Sequence, residues 1–155
     1  MSFLDLAPSW SDEPLTDPTL AANVVDLMVS MGDRYRGTFT AILCGADARF
    51  RAVVAIDLPS HFAAETTSLD HPSLDTPGLC ATALHPIVPA LRTEPGAALL
   101  LALGRPGPPT WPALDHEWST AATHLCRAAQ VPLLGFYIAT PEHLYQPQEA
   151  NAEAA

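Results

Sequence analysis

Asp115-His116-Glu117 is the densest run of chemically competent side chains in the chain, with His124 downstream and His85 well upstream. Two carboxylates flanking an imidazole can ligate a metal ion or pass a proton. His116 and His124 stand two helical turns apart, too far for the i, i+4 pair that sets two imidazoles on one ion. A relocated metal centre would draw on His116, Asp115 and His85; the alternative is a set of exposed polar residues on a helix. Other chemistry is thinly provided. His61 and His71 with Asp70 read as the polarity of a surface loop. No Gly-x-Ser-x-Gly elbow occurs, and "GRPG" at 104–107 lacks the pattern and the following Lys of a phosphate loop. Cys44, Cys80 and Cys126 are widely spaced in apolar contexts with no Cys-x-x-Cys. They read as small buried hydrophobes, not as a disulfide framework or a zinc knuckle. Cys126 lies beside Arg127 but near the apolar face of its helix, which favours burial over reactivity.

The elements that position the acidic run are legible. Gly96 to Gly104 is apolar on both faces, as in a central strand. The loop "LGRPGPPTWPALDHEW" (Leu103 to Trp118) then leads into a helix opened by Pro112, with Leu114, Trp118, Ala121, Leu125 and Ala128 as its apolar face. Asp115, Glu117, Thr120, Thr123 and Arg127 form its polar face. Pro132 stops it, and Leu133 to Ala139 is a last strand. Upstream, Asp17-Pro18 starts a helix with Leu20, Val24, Leu27, Met28 and Met31 on one face, ended by Gly32. Thr38 to Cys44 and Phe50 to Asp57 are strands around the turn "GADAR". Residues 58–78 form a long polar loop, and His85-Pro86 begins another helix. The order predicts an α/β fold, an α-β-α sandwich around a mixed sheet. Residues 1–16 make an N-terminal strap or arm, 17–145 a single domain, and 146–155 a disordered tail.

A length of 155 residues suits one domain, and the formal net charge is −10. All seven basic residues are Arg. Such a chain repels phosphate backbones, which disfavours nucleic acid as the main partner. Arg34, Arg36, Arg49 and Arg51 cluster near the predicted hairpin and read as solvated edge charges. The apolar runs are too short to cross a bilayer, so no membrane partner is expected. The acidic start lacks the form of a signal peptide, and the expected location is cytoplasmic.

Several local words resemble the RadC-like branch of the JAB/MPN (JAMM) metalloprotease superfamily, over about Gly37 to Ala139. "LHPIVPAL" (Leu84 to Leu91) resembles that family's His-Pro-Arg-Glu-Val-x-x-x-Ala-Leu helix. "AALLLALG" occupies the strand before its metal loop, whose form is His-x-His-Pro-Ser-Gly-Asp-Pro-x-Pro-Ser-x-x-Asp. Pro106 and Pro112 keep the spacing of two loop prolines, Thr120 matches a helix Thr, and "AAQVPLLGFYIA" resembles the strand that follows. The resemblance implies a JAB/MPN-like (cytidine-deaminase-like) fold. In the family, the two His and the Asp bind zinc, and a Glu on an earlier strand moves protons for the metal-bound water. Aligned on the prolines, the two His positions fall on Leu103 and Arg105. The Asp position falls on His116, one residue after Asp115, and the Glu position on Gly37 or Thr38.

Leu103 has no lone pair, and Arg105 has donors only. The resemblance therefore implies a pseudoenzyme with a vestigial site at Leu103, Arg105, Asp115 and His116, without catalytic residues, metal or cofactor. Arg105 is expected to fill the vacated position, with Asp115 or Glu117 as its partner. The expected function is a protein-interaction or scaffold module that binds a protein partner or itself, as a homodimer. Candidate contacts are Phe3, Leu6 and Trp10 in the arm, the 58–78 loop, and the proline-framed Trp111. A divergent hydrolase with a relocated metal site is the alternative, and a DNA-associated protein the least supported.

Overall fold

The structure, a computed structural model, describes residue 4 and residues 6–58, 76–108 and 112–147. Asp17 caps α1 (Pro18–Met28): its Oδ1 accepts from the Thr19 N–H at 3.1 Å. The helix expected to continue to Gly32 is in fact two. Ser30 caps α2 (Met31–Arg36) through a capping box, accepting from the Asp33 N–H at 3.1 Å while Asp33 accepts from the Ser30 N–H at 3.2 Å. That exchange satisfies two backbone donors that a continuous helix would treat differently, and it overrides the apolar period. α1 buries Ala21, Ala22, Val24 and Val25, whereas Leu27 and Met31, expected inward, are 39% and 50% exposed. Gly37 closes α2 at φ +88°, a conformation that side chains resist.

β1 (Thr38–Cys44) and β2 (Phe50–Asp57) form the expected hairpin, in register from Thr38↔Asp57 to Leu43↔Ala52, with a bulge before Cys44↔Phe50. β2 lies at the edge of the sheet. Its residues 51–55 are exposed on both faces, not half-buried as its alternation suggests. The next element corrects two expectations. α3 (Thr76–Leu84) begins inside the segment expected to be loop. His85-Pro86 lies in a turn rather than starting a helix, and the short α4 (Val88–Leu91) follows. Pro77 and Gly78 look like breakers, but Pro is at home in a first turn. The rest of the expected loop, residues 59–75, lies outside the described residues.

β3 (Ala98–Gly104) runs antiparallel to β1 and parallel to β4 (Leu133–Ala139). A parallel pair needs a crossover, which α5 (Pro112–Ala128) supplies. Gln130 at φ +59° follows α5, and the chain turns into β4. β5 (Leu144–Tyr145), which the sequence reading lacks, pairs antiparallel with β4. The result is a mixed five-stranded sheet, β2-β1-β3-β4-β5, with helices on both faces.

The two faces differ in size. Phe39, Leu99, Leu101, Leu103, Phe136 and Ile138 meet α3, α4 and α5. Ile42, Ala98, Leu100, Ala102 and Ala139 meet α1, whose Ala21 and Ala22 allow close approach. Gly104 is part of that closeness: a Cβ there would lie 2.9 Å from Thr38 Oγ1 and 3.1 Å from Val29 Cγ1. Leu6, Trp10 and Leu15 pack on the same α1 side, and Trp10 meets Phe50 edge-on with ring centroids 5.2 Å apart. Gln146 is half-buried and Pro147 buried, so the described part of the expected tail packs on the domain. Residues 148–155 lie outside the described residues. No helix among the described residues is long and apolar enough to cross a membrane.

Candidate functional site

The C-terminal end of β3 delivers Arg105. Its backbone N–H donates to the Ala139 carbonyl at 3.0 Å, which extends the β3–β4 pairing by one residue. Its side chain, two residues after Leu103, turns toward α5. There Nε donates to Asp115 Oδ1 at 2.8 Å and Nη2 to Asp115 Oδ2 at 2.9 Å, a bidentate pair. Nη1 donates to the carbonyls of Pro106 at 3.1 Å and Pro108 at 2.7 Å. Tyr145 donates its hydroxyl to Asp115 Oδ2. The Arg105 and Asp115 side chains are 0% and 1% exposed, so the pair is fully desolvated. Burial of this kind is tolerated only when the charge and most donors are satisfied, as they are here. Asp115 also sits in the first turn of α5, where a carboxylate complements the helix N-terminus.

Asp115 was expected on the polar face of α5; it is buried instead, because its counter-ion arrives from β3. Tyr145 joins it through β5, whose two residues are too few to leave a periodic signal. His116 is exposed and lies 3.4 Å from Thr120 Oγ1 through Nε2. It lines an open groove of about 600 Å3 with Glu117, Thr120, Ala121 and His124. His85 lines another groove, with Ala81, Val88, Arg92, Leu125 and Ala129. The structure therefore does not bring His116, Asp115 and His85 together. Asp115 is engaged by Arg105 and Tyr145, and the two histidines line different grooves. Among the described residues no group of three His, Cys, Asp or Glu side chains is placed to hold a metal ion.

The positions aligned with zinc ligands do not fit zinc. Leu103 is buried in the α5-side core with no donor atom, Arg105 projects a cation, and His116 faces away from both. Of the two candidates for the early-strand Glu, Gly37 has no side chain. Thr38 places its Oγ1 against Gly104 on the α1 side of the sheet, opposite the Arg105 side. Thr38 Oγ1 and Thr40 Oγ1 are buried there without a hydrogen-bond partner.

The Arg cluster expected near the hairpin is matched by carboxylates. Arg34 is buried and pairs with Asp26 at 2.8 Å, while donating to the carbonyls of Val29 and Thr140, each at 3.1 Å. Arg36 meets Asp33 at 2.6 Å, Arg49 meets Asp47 at 3.8 Å, and Arg51 meets Glu94 at 3.8 Å. Cys44, Cys80 and Cys126 are free and buried. Burial pushes the Cys80 thiol up to about 12, with the nearby Cys126 adding to the shift, and pushes Cys126 up to about 11. Burial, helped by Asp47, also raises Cys44 to about 11. Of the expected contact residues, Leu6 and Trp10 are half-buried against the domain. Phe3 and Trp111 lie outside the described residues.

Comparison of the chain with models of known protein families, with curated proteins and with solved structures finds no match.

Proposed function

We propose that the chain is a non-catalytic interaction or scaffold domain built on a JAB/MPN-like frame of the RadC-like kind, acting in the cytoplasm through protein contacts, self-association among them. The observation that carries this reading is the Arg105 guanidinium locked on Asp115. In the family pattern, the strand-to-helix loop holds a cation between side chains of the strand end and the first helical turn. Here a covalently attached cation takes that place, with its donors turned inward onto Asp115, Pro106 and Pro108. A guanidinium fixed in this way offers no open coordination position and no ionisable water, so the frame is kept while the family's chemistry is dropped. The order of hairpin, helix, β3, loop, α5 and β4 supports the same frame.

The test is metal content. Protein purified without a tag from zinc-supplemented cells is expected to carry no stoichiometric metal by elemental analysis, and added zinc is expected to leave its melting temperature unchanged. One zinc per chain overturns the reading in favour of a divergent hydrolase, with ligands other than the set His116, Asp115 and His85, which the structure keeps apart.

A further inference from the structure

Among the described residues β2 is the outermost strand of the sheet on its side, and no other strand pairs with its outer edge. Residues 52–56 read Ala-Val-Val-Ala-Ile, with Val53 40% and Val54 38% exposed. Natural edge strands are usually blunted by Lys, Pro or an inward charge. Here the charges stand only at the ends, as Arg51 and Asp57, and both are well exposed.

The hydrogen-bond parity of β2 restricts what can pair with it. The Leu58 N–H donates to Gly37 O at 3.1 Å, in the same register as Thr38↔Asp57. In an antiparallel ladder such pairs recur every second residue, so residues 52, 54 and 56 point their backbone groups at β1. Residues 53, 55 and 57 therefore point theirs outward. An antiparallel pair of two identical strands across this edge must match outward residues with outward residues. A two-fold axis at Val54 does so with Val53 opposite Ala55, Ala52 opposite Ile56, and Arg51, the residue of the bulge, opposite Asp57. The last match occurs twice, once at each end. An axis at Ala55 would set Asp57 against Val53, and an axis at Val53, which spans as many residues, would run on through the bulge to Phe50 and leave Asp57 unmatched.

We propose that a second copy of this chain pairs antiparallel along the outer edge of β2, with the two-fold axis at Val54. The two sheets then become one continuous ten-stranded sheet, twice the five of each copy. An apolar centre is flanked by two Arg51–Asp57 contacts between copies. Its one Arg and one Asp per copy leave the edge without net charge, so it adds nothing to the mutual repulsion of two chains of net charge −10. This gives the self-association in the reading above a surface, but it stands on β2 and not on the Arg105 site.

Five substitutions read it out. Val54→Cys places two thiols at a non-hydrogen-bonded pair, with Cα atoms about 4.5 Å apart, within disulfide reach. Mild oxidation is expected to convert it to a covalent dimer, while Val53→Cys, whose own copy is diagonal to it, is expected to stay uncrosslinked. The native cysteines are buried and silent. Ala55→Pro removes an outward N–H without touching the β1 ladder, and is expected to halve the mass in sedimentation velocity with an unchanged circular dichroism spectrum. Should Ala55→Pro disturb folding, the surface charges decide. Arg51→Asp and Asp57→Arg should each weaken the dimer, and the double swap should restore it. A wild-type monomer at high micromolar concentration overturns the inference, as does a dimer that survives these changes without a Val54→Cys cross-link. Neither result alters the metal test, so the two readings fail separately.

Discussion

Arg105 and Asp115 form a pair whose worth depends on what replaces it. A buried ion pair adds little over a well-packed apolar pair, but removing one partner strands the other charge in the core. Arg105→Ala should therefore cost about 3–5 kcal/mol, and a chain of this length loses roughly 2–4 °C of Tm per kcal/mol. The joint replacement Arg105→Met with Asp115→Leu should recover most of that loss in thermal denaturation. A single substitution without effect would mean that the pair is not buried as described. The cysteines give a pH dependence. Their folded pKa values of about 11 to 12 lie above the ordinary value of 9.0. The unfolded chain therefore releases thiol protons first as pH rises, and stability falls above that ordinary value. Below pH 9.0 the contribution is fully present, and it is lost progressively toward pH 11 to 12. Denaturant midpoints taken across this window should decline for the wild type and less steeply for Cys80→Ala.

At the scale of elements, α2 depends on its first residue. Ser30→Ala removes one half of the capping box and should cost about 1 kcal/mol, read as a lower denaturant midpoint with an unchanged slope. The same box shows where the sequence was readable. β2 and α5 were legible from their periods, and β3 from an unbroken apolar run between Gly96 and Gly104. α1 was overextended because Leu27, Met28 and Met31 continue the apolar period past a cap that costs nothing to overlook. α3 was hidden by Pro77 and Gly78. At the site, the resemblance offered Arg105 a partner in Asp115 or Glu117, and the structure pairs it with Asp115. The burial of Asp115 was not, because its polar type matches the outer face of the helix and only the tertiary approach of β3 turns it inward. Tyr145 gave no signal at all, since β5 exists only as an addition to β4.

Over the whole molecule, the sheet separates two unlike interiors. The α5 side is the larger cluster, with Trp118, Phe39 and Phe136 at its centre, and on the α1 side Ala21 and Ala22 bring the helix close to the strands. Each side holds one buried guanidinium, and both lie near the ends of β3 and β4. Arg105 is satisfied within a short stretch, since Asp115 is ten residues away and the two proline carbonyls are nearer still. Arg34 is different, because one of its acceptors, the Thr140 carbonyl, is 106 residues along the chain. During synthesis, α1 and α2 emerge with Asp26 and the Val29 carbonyl already at hand for Arg34, yet its Nη1 keeps water as its partner until the end of β4 has been made. The buried guanidinium on the α1 side is therefore fully satisfied only when Thr140 has docked beside α2.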